Sequence, residues 1–409
     1  MGAVLLIGTL DTKGEELAWV RSLIEERGHQ TRVLDAGVLG EPPFPPEIDA
    51  ATVAEAGGAS LESLRKQNDR GAALEVMAKG AARIAAQQHA GGAIDAVLGL
   101  GGSCGTAIAT AAMRALPTGL PRVMVSTVAS GPVGSYVGVT DITMMYSVVD
   151  VAGLNRISRR ILANAAGAVC GMLDQAVPDA ADRRLLAATM FGVTTPCVQR
   201  VRHRLEESGF EVLIFHATGS GGRAMEGLIR AGFIEGVADV TTTEWCDELA
   251  GGILTAGPER LDAAAHTATP QVVSVGALDM VNFGPADTVP ERYRGRLLHV
   301  HNPSVTLMRT TVEENVRLGE IIASKLNAAK GPTTLMLPLR GVSALDREGQ
   351  PFRDEAADAA LFDALRRNVG THVQWMELDL HINDEPFADA IAETLLASLP
   401  ERMNAIHSS

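Results

Sequence analysis

Short apolar runs and helix-patterned stretches alternate along this chain from one end to the other, and that alternation restricts the fold more than any other feature. A run that is apolar at nearly every position must be buried on both faces, which in a parallel sheet is the work of helices packed on either side. Strands are expected over 3–8, 31–36, 95–100, 122–127 and 141–146, and helices over 13–27, 60–88, 105–115 and 151–170. A polar, proline-bearing stretch from Val177 to Arg184 breaks the pattern. The series then resumes, with strands over 185–191, 211–216, 238–243, 271–275, 297–301, 333–337 and 373–379 and helices over 196–208, 221–231, 312–329, 355–368 and 386–398. The expected fold is α/β: two doubly wound, mostly parallel-sheet subdomains facing across a cleft. The glycine-loop subdomain takes 1–176, a linker takes 177–184, and a C-terminal α/β subdomain takes 185–409. The two parts open alike. Ile7-Gly8-Thr9 and Phe191-Gly192-Val193-Thr194 each lead through a helix and an Arg27-Gly28 or Ser208-Gly209 turn into a second strand. Residues 40–58, with Glu41-Pro42-Pro43-Phe44-Pro45-Pro46, read as an exposed loop because proline fits neither helix interior nor central strand.

Composition narrows the function classes. With 409 residues and 46% hydrophobic side chains there is material for more than one core, and at 4% aromatic those cores are built from Ala, Val, Leu and Ile. A net charge of −14 argues against a nucleic-acid partner, and the basic run Arg156 to Arg160 is too short to reverse that. No apolar run reaches membrane-spanning length, so no membrane partner is expected. The start, Met1-Gly2-Ala3-Val4-Leu5-Leu6-Ile7, lacks the basic region of a signal peptide. Cys104, Cys170, Cys197 and Cys246 show neither disulfide-scaffold nor zinc-ribbon spacing, which fits a cytoplasmic protein with reduced thiols.

The chemistry-bearing segments are glycine turns placed between a strand and a helix. Gly99-Leu100-Gly101-Gly102-Ser103-Cys104-Gly105-Thr106 follows the apolar run Ala96-Val97-Leu98 and opens a helix. Glycines let backbone N–H groups approach a ligand, and a helix start carries partial positive charge, so the turn reads as a phosphate site or as a tight structural turn. It ends without the Gly-Lys-Ser/Thr of a P-loop, and Cys104 stands where a dinucleotide fingerprint needs its last glycine. Ligands of open α/β sheets bind beyond the carboxyl ends of the strands. That rule joins Thr9, Asp11 and Lys13 after the first strand to Gly101, Gly102, Ser103, Gly105 and Thr106, and to Thr127, Ser130 and Gly131 after the fourth strand. Asp11 is suited to a ribose hydroxyl, to Mg2+ through water or to a helix cap, and Lys13 to phosphate.

A second turn, Thr218-Gly219-Ser220-Gly221-Gly222-Arg223, offers another anion site with Arg223 as its cation, for a substrate carboxylate or phosphate. Polar residues also gather at strand ends in this half. Glu244, Asp279, His301 and His381 are the candidates for acid/base work, with a divalent metal as an alternative use. No Gly-x-Ser-x-Gly elbow or His-Glu-x-x-His helix occurs, so neither common hydrolase type is supported.

In order along the chain, these motifs resemble one family. It is the ATP-binding family that includes the tomato mosaic virus resistance protein, in its bacterial branch. The resemblance is carried by Gly8-Thr9-Leu10-Asp11-Thr12-Lys13-Gly14, the Gly99–Thr106 turn, Ser126-Thr127-Val128-Ala129-Ser130-Gly131 and the Thr218–Glu226 segment. Leu278-Asp279-Met280-Val281-Asn282-Phe283-Gly284, His301-Asn302-Pro303 and His381-Ile382-Asn383-Asp384 complete it. It implies a two-subdomain α/β protein, a homodimer, with ATP bound on the N-terminal subdomain. The plant member's antiviral role is not implied for this chain. Two functions follow as expectations: a nucleotide-binding protein whose ligand state controls a partner, or an enzyme of hydrolase or lyase type acting on a small anionic metabolite between the subdomains.

Overall fold

Along the strand β1 (Ala3–Gly8), Val4 and Leu6 pack into one apolar cluster while Leu5 and Ile7 pack into another. The side-chain period of two thus sends alternate residues to two separate helical layers. The first layer holds the helices Leu10–Glu25 and Arg156–Asp174; the second holds Ala50–Gly57, Arg70–Ala90 and Ser103–Arg114. The structure is a computed structural model, and it describes residues 1–177 and 183–400. The chain divides into two compact units, Met1–Asp179 and Ala180–Ser409. Most of the expected linker, residues 178–182, lies outside the described residues.

In the first unit β1 is joined by β2 (Gln30–Asp35), β3 (Ala96–Gly101), β4 (Arg122–Ser126) and β5 (Thr143–Tyr146) in the order β2-β1-β3-β4-β5, all pairs parallel. In the second unit β6 (Leu185–Met190) is likewise flanked by the two strands that follow it, β7 (Glu211–His216) and β8 (Gly236–Thr241). β9 (Gln271–Gly276) comes next, and three later strands follow in sequence: β10 (Met280–Phe283), β11 (Leu298–Asn302) and β12 (Val305–Arg309). β13 (Thr333–Pro338) and β14 (Gln374–Leu378) complete a six-stranded sheet, β14-β13-β9-β8-β6-β7. The similar openings of the two halves therefore correspond to one topology used twice, a central first strand with its successors on either side.

Three expectations on elements are corrected. The run 297–301 does not join the parallel sheet; β11 pairs antiparallel with β12, and β12 with β10, in a separate three-stranded sheet. A parallel strand needs apolar cover on both faces, whereas Val300, His301 and Asn302 are exposed. The region 60–88 is two helices, Leu61–Gln67 and Arg70–Ala90: Asn68 turns left-handed (φ 50°) and Asp69 caps a fresh start. The expected loop 40–58 ends in a helix, Ala50–Gly57, which Asp49 caps through Thr52 N–H and Gly58 (φ 103°) terminates.

That short helix crosses Arg70–Ala90 with backbone against backbone. A Cβ on Gly80 would sit on the carbonyl oxygen of Val53, and one on Gly57 would sit on that of Val76. The close approach sets where the longer helix lies over the sheet. Gly80→Ala is expected to lower stability by about 3 kcal/mol, because overpacking against backbone has no side chain to yield. A urea titration followed by circular dichroism checks it; an unchanged midpoint would contradict the close packing.

Candidate functional site

The strand order of the first unit reverses between β1 and β3, and the helices that follow these two strands leave to opposite faces of the sheet. Such a switch point leaves a crevice at the carboxyl ends of the strands. A cavity of about 580 Å³ opens there. Thr9, Asp11, Lys13, Gly102, Ser103, Cys104 and Gly105 line its polar side; Leu64, Leu74, Met77 and Ile108 line an apolar one.

Three helices present their first turns to this cavity, and a helix start has N–H groups that need acceptors. The chain supplies them at two. Asp35 accepts from Leu10 N–H at 2.9 Å and from Gly37 N–H at 2.8 Å, and burial raises its pKa. Asp69 accepts from Gly71 N–H at 2.8 Å and Ala72 N–H at 3.1 Å. The third helix, Ser103–Arg114, has Gly102 as its N-cap and no capping side chain. Thr106 N–H returns to the Gly102 carbonyl at 2.8 Å, and the N–H groups of Ser103, Cys104 and Gly105 have no acceptor among the described residues. A Cβ on Gly102 would meet only Thr127 Oγ1, at 3.7 Å, so this glycine borders open space. Gly99 is different: its Cβ would come within 2.6 Å of Ala109 Cβ and 2.8 Å of Met124 sulfur. One glycine serves packing and the other leaves room.

The other residues expected here divide. Thr9 bonds Thr12 hydroxyl to hydroxyl at 2.7 Å beside the cavity. Asp11 uses Oδ2 to accept from Leu39 N–H and Gly40 N–H, both at 3.1 Å, which ties the loop after β2 to the first helix. Its Oδ1 is buried without a partner. Lys13 sits at a kink in the helix Leu10–Glu25 (φ −132°, ψ 18°) and lines the cavity. Thr106 does not face it: the residue is buried beneath the turn and shares a 2.7 Å bond with Ser126 Oγ. Gly101 is buried, and its Cβ would lie 3.0 Å from Gly105 Cα, so it serves strand-to-helix packing. Thr127, Ser130 and Gly131 lie outside the cavity lining, Ser130 and Gly131 being exposed. Sequence reasoning missed Arg70, whose Nη2 lies 3.2 Å from Cys104 Sγ, and the apolar wall on the helices Leu61–Gln67 and Arg70–Ala90. Only the Asn68-Asp69 break pointed to a helix start there.

The second glycine turn already holds an anion. Glu244 Oε1 accepts from Gly219 N–H at 2.7 Å and Gly222 N–H at 3.2 Å, and Oε2 takes Arg260 Nε at 2.7 Å. The Arg260 guanidinium, fully buried, also forks onto Asp239 at 2.5 and 2.6 Å. Glu244 is thus engaged as the counter-charge of Arg260, and the N–H groups of Gly219 and Gly222 in the turn are taken by the chain itself. Arg223 Nη1 donates to the Thr255 carbonyl at 3.0 Å, and the Thr218 hydroxyl to that of His216 at 3.3 Å.

Of the remaining acid/base candidates, Asp279 and His381 also have structural partners. Asp279, fully buried, accepts from Ser343 Oγ at 2.7 Å. His381 Nδ1 accepts from Asn383 N–H at 3.1 Å, so Nε2 carries the proton it donates to the Ser343 carbonyl at 2.9 Å; burial lowers its pKa and keeps the ring neutral. Ser343 thus joins Asp279 to His381 inside the core. His301 stands apart on exposed β11. Among the described residues no group of three or more His, Cys, Asp or Glu side chains is placed to hold a metal ion, and no helix is long and apolar enough to cross a membrane.

Against known proteins, residues 2–178 match the N-terminal domain, and residues 183–399 the C-terminal domain, of what is described as Uncharacterised protein family (UPF0261). A UPF0261 protein of Clostridium tetani is 53% identical over 96% of this chain and 98% of its own length. One from Rhizobium meliloti is 50% identical over 95% and 97%. The ToMV resistance protein Tm-1 of Solanum lycopersicum is 39% identical over 97% of this chain, which spans 56% of that longer protein.

Two expectations come from the buried acids. Burial and the neighbouring Asp346 push Asp279 up to about 7, and the same causes push Asp358 up to about 8. A carboxyl raised on folding stabilises fully below its unfolded pKa, and that contribution is lost as pH rises through the folded value. The urea midpoint should therefore fall between pH 5 and pH 8 (roughly the interval between the unfolded and folded values), and Asp279→Asn should flatten the fall; an equal slope in the variant would refute it. Glu244→Ala should cost about 3–5 kcal/mol, because it strands part of a buried ion network; a calorimetric melt measures it.

Proposed function

The chain belongs to the UPF0261 family, and on that footing we propose that its N-terminal unit binds a nucleotide, ATP, with phosphate held by the N–H groups of Ser103, Cys104 and Gly105. The observation that carries this reading is the uncapped start of the helix Ser103–Arg114 facing a cavity of about 580 Å³. The volume falls within the range of small-molecule sites, which are largely apolar with a few convergent polar groups. The polar side suits a phosphate chain, and Leu64, Leu74, Met77 and Ile108 suit a flat apolar base. The turn lacks a P-loop lysine, which favours binding that signals ligand state over rapid hydrolysis.

The alternative, an enzyme acting on a small anionic metabolite through the C-terminal half, draws less support. Glu244, Asp279 and His381 are buried and engaged with Arg260, Ser343 and Asn383.

Calorimetric titration of Mg·ATP into the purified chain tests the proposal, with Gly102→Val as its control. The wild type should bind saturably. Gly102→Val should keep its melting transition, since the position borders open space and has ordinary backbone angles (φ −79°), yet lose binding. A folded wild type that releases no heat with ATP, ADP or NAD would end the nucleotide reading.

A further inference from the structure

The turn Gly102–Thr106 contains no cationic side chain, yet the fold brings one to it from elsewhere. Arg70 begins the helix Arg70–Ala90, and its guanidinium reaches Cys104 across 34 residues of sequence, at 3.2 Å from the sulfur. A thiol is a weak acceptor for a group with five N–H donors. Arg70 has no carboxylate within ion-pairing distance among the described residues, and neither has Lys13 on the same cavity. The adjacent acid, Asp69, turns its Oδ1 to Gly71 and Ala72 N–H, and Asp11 its Oδ2 to Leu39 and Gly40 N–H. Apart from the Cys104 contact, the two cations thus have no anionic partner among the described residues, beside N–H groups that have no acceptor there either.

We propose that Arg70, assisted by Lys13, reads the outer phosphates of the ligand, so that the site selects nucleoside polyphosphates over monophosphates. This rests on the nucleotide reading above and deepens it. The phosphate nearest the nucleoside would lie on the Ser103–Gly105 N–H groups, which do not distinguish chain length. Each further phosphate adds charge toward Arg70 at the rim, where a planar guanidinium can grip two oxygens at once. The cation at the rim thus comes from a different helix than the one that the turn opens.

The test is calorimetric titration of AMP, ADP and ATP, each with Mg2+, into the full chain and its R70M, R70K and K13M variants, with thermal melts as folding controls. The wild type should bind more tightly with each added phosphate. R70M should weaken ATP about tenfold or more and AMP by less than about twofold. R70K, a point charge without the fork, should fall between them, and it carries the test should R70M melt early. K13M should show a smaller loss than R70M, again greatest for ATP. If the wild type binds but R70M weakens all three equally, or none, the role of Arg70 is overturned and the nucleotide reading stands. A wild type that favours AMP also overturns it. If the folded wild type binds none of the three, both fail together.

Discussion

A helix start needs acceptors for its first N–H groups, and this protein's organisation can be followed through what answers that need. At Leu10 the acceptor is Asp35, at Gly71 and Ala72 it is Asp69, and at the turn Gly219–Gly222 it is Glu244. Each of these is a carboxylate the chain supplies to itself. At Ser103 no side chain does so among the described residues, and that is where the strand order reverses and the cavity opens. Two turns that look alike in sequence, Gly101–Gly105 and Gly219–Gly222, thus have opposite meanings. One keeps N–H groups without an acceptor among the described residues and the other is closed by its own counter-ion.

The closed turn shows what the second unit does with its polar residues. Glu244, Asp239 and Glu226 surround the buried Arg260, while Asp346 and Asp358 surround Arg309. Asp247 accepts from the Asn282 backbone N–H at 2.6 Å and from the Asn282 side-chain amide at 2.8 Å. Buried charge of this kind is costly unless paired, and burial is the largest cause that raises the pKa of Glu226, Asp247, Asp279 and Asp358. A conspicuous polar motif such as Leu278-Asp279-Met280-Val281-Asn282-Phe283 is then explained by the interior it holds together. Both of its polar side chains point inward, to Ser343 and to Asp247.

How much could be read in advance differs from element to element. The parallel strands were legible because apolar runs such as Val4–Ile7 and Val97–Leu98 carry their burial in their composition. The glycine turns were legible as turns, and Thr9, Asp11, Lys13, Gly102, Ser103 and Gly105 do gather at one cavity. Thr106 could not be told from Ser103, because two hydroxyls three residues apart differ only in which side of a helix start they face. Arg70 was invisible for a different reason: nothing local marks a cation that the fold places beside a turn 34 residues away.

The sequence by itself determined the α/β class, the two similar openings and the positions of the strand-to-helix turns, because periodicity, glycine and proline act over a few residues. Only the tertiary structure decided which turn is capped by the chain's own carboxylate. Whether a distant carboxylate, Glu244 in one unit and none in the other, arrives at a set of N–H groups depends on how the helices pack. That packing rests on close contacts such as Gly57 and Gly80 against backbone, which no local pattern records.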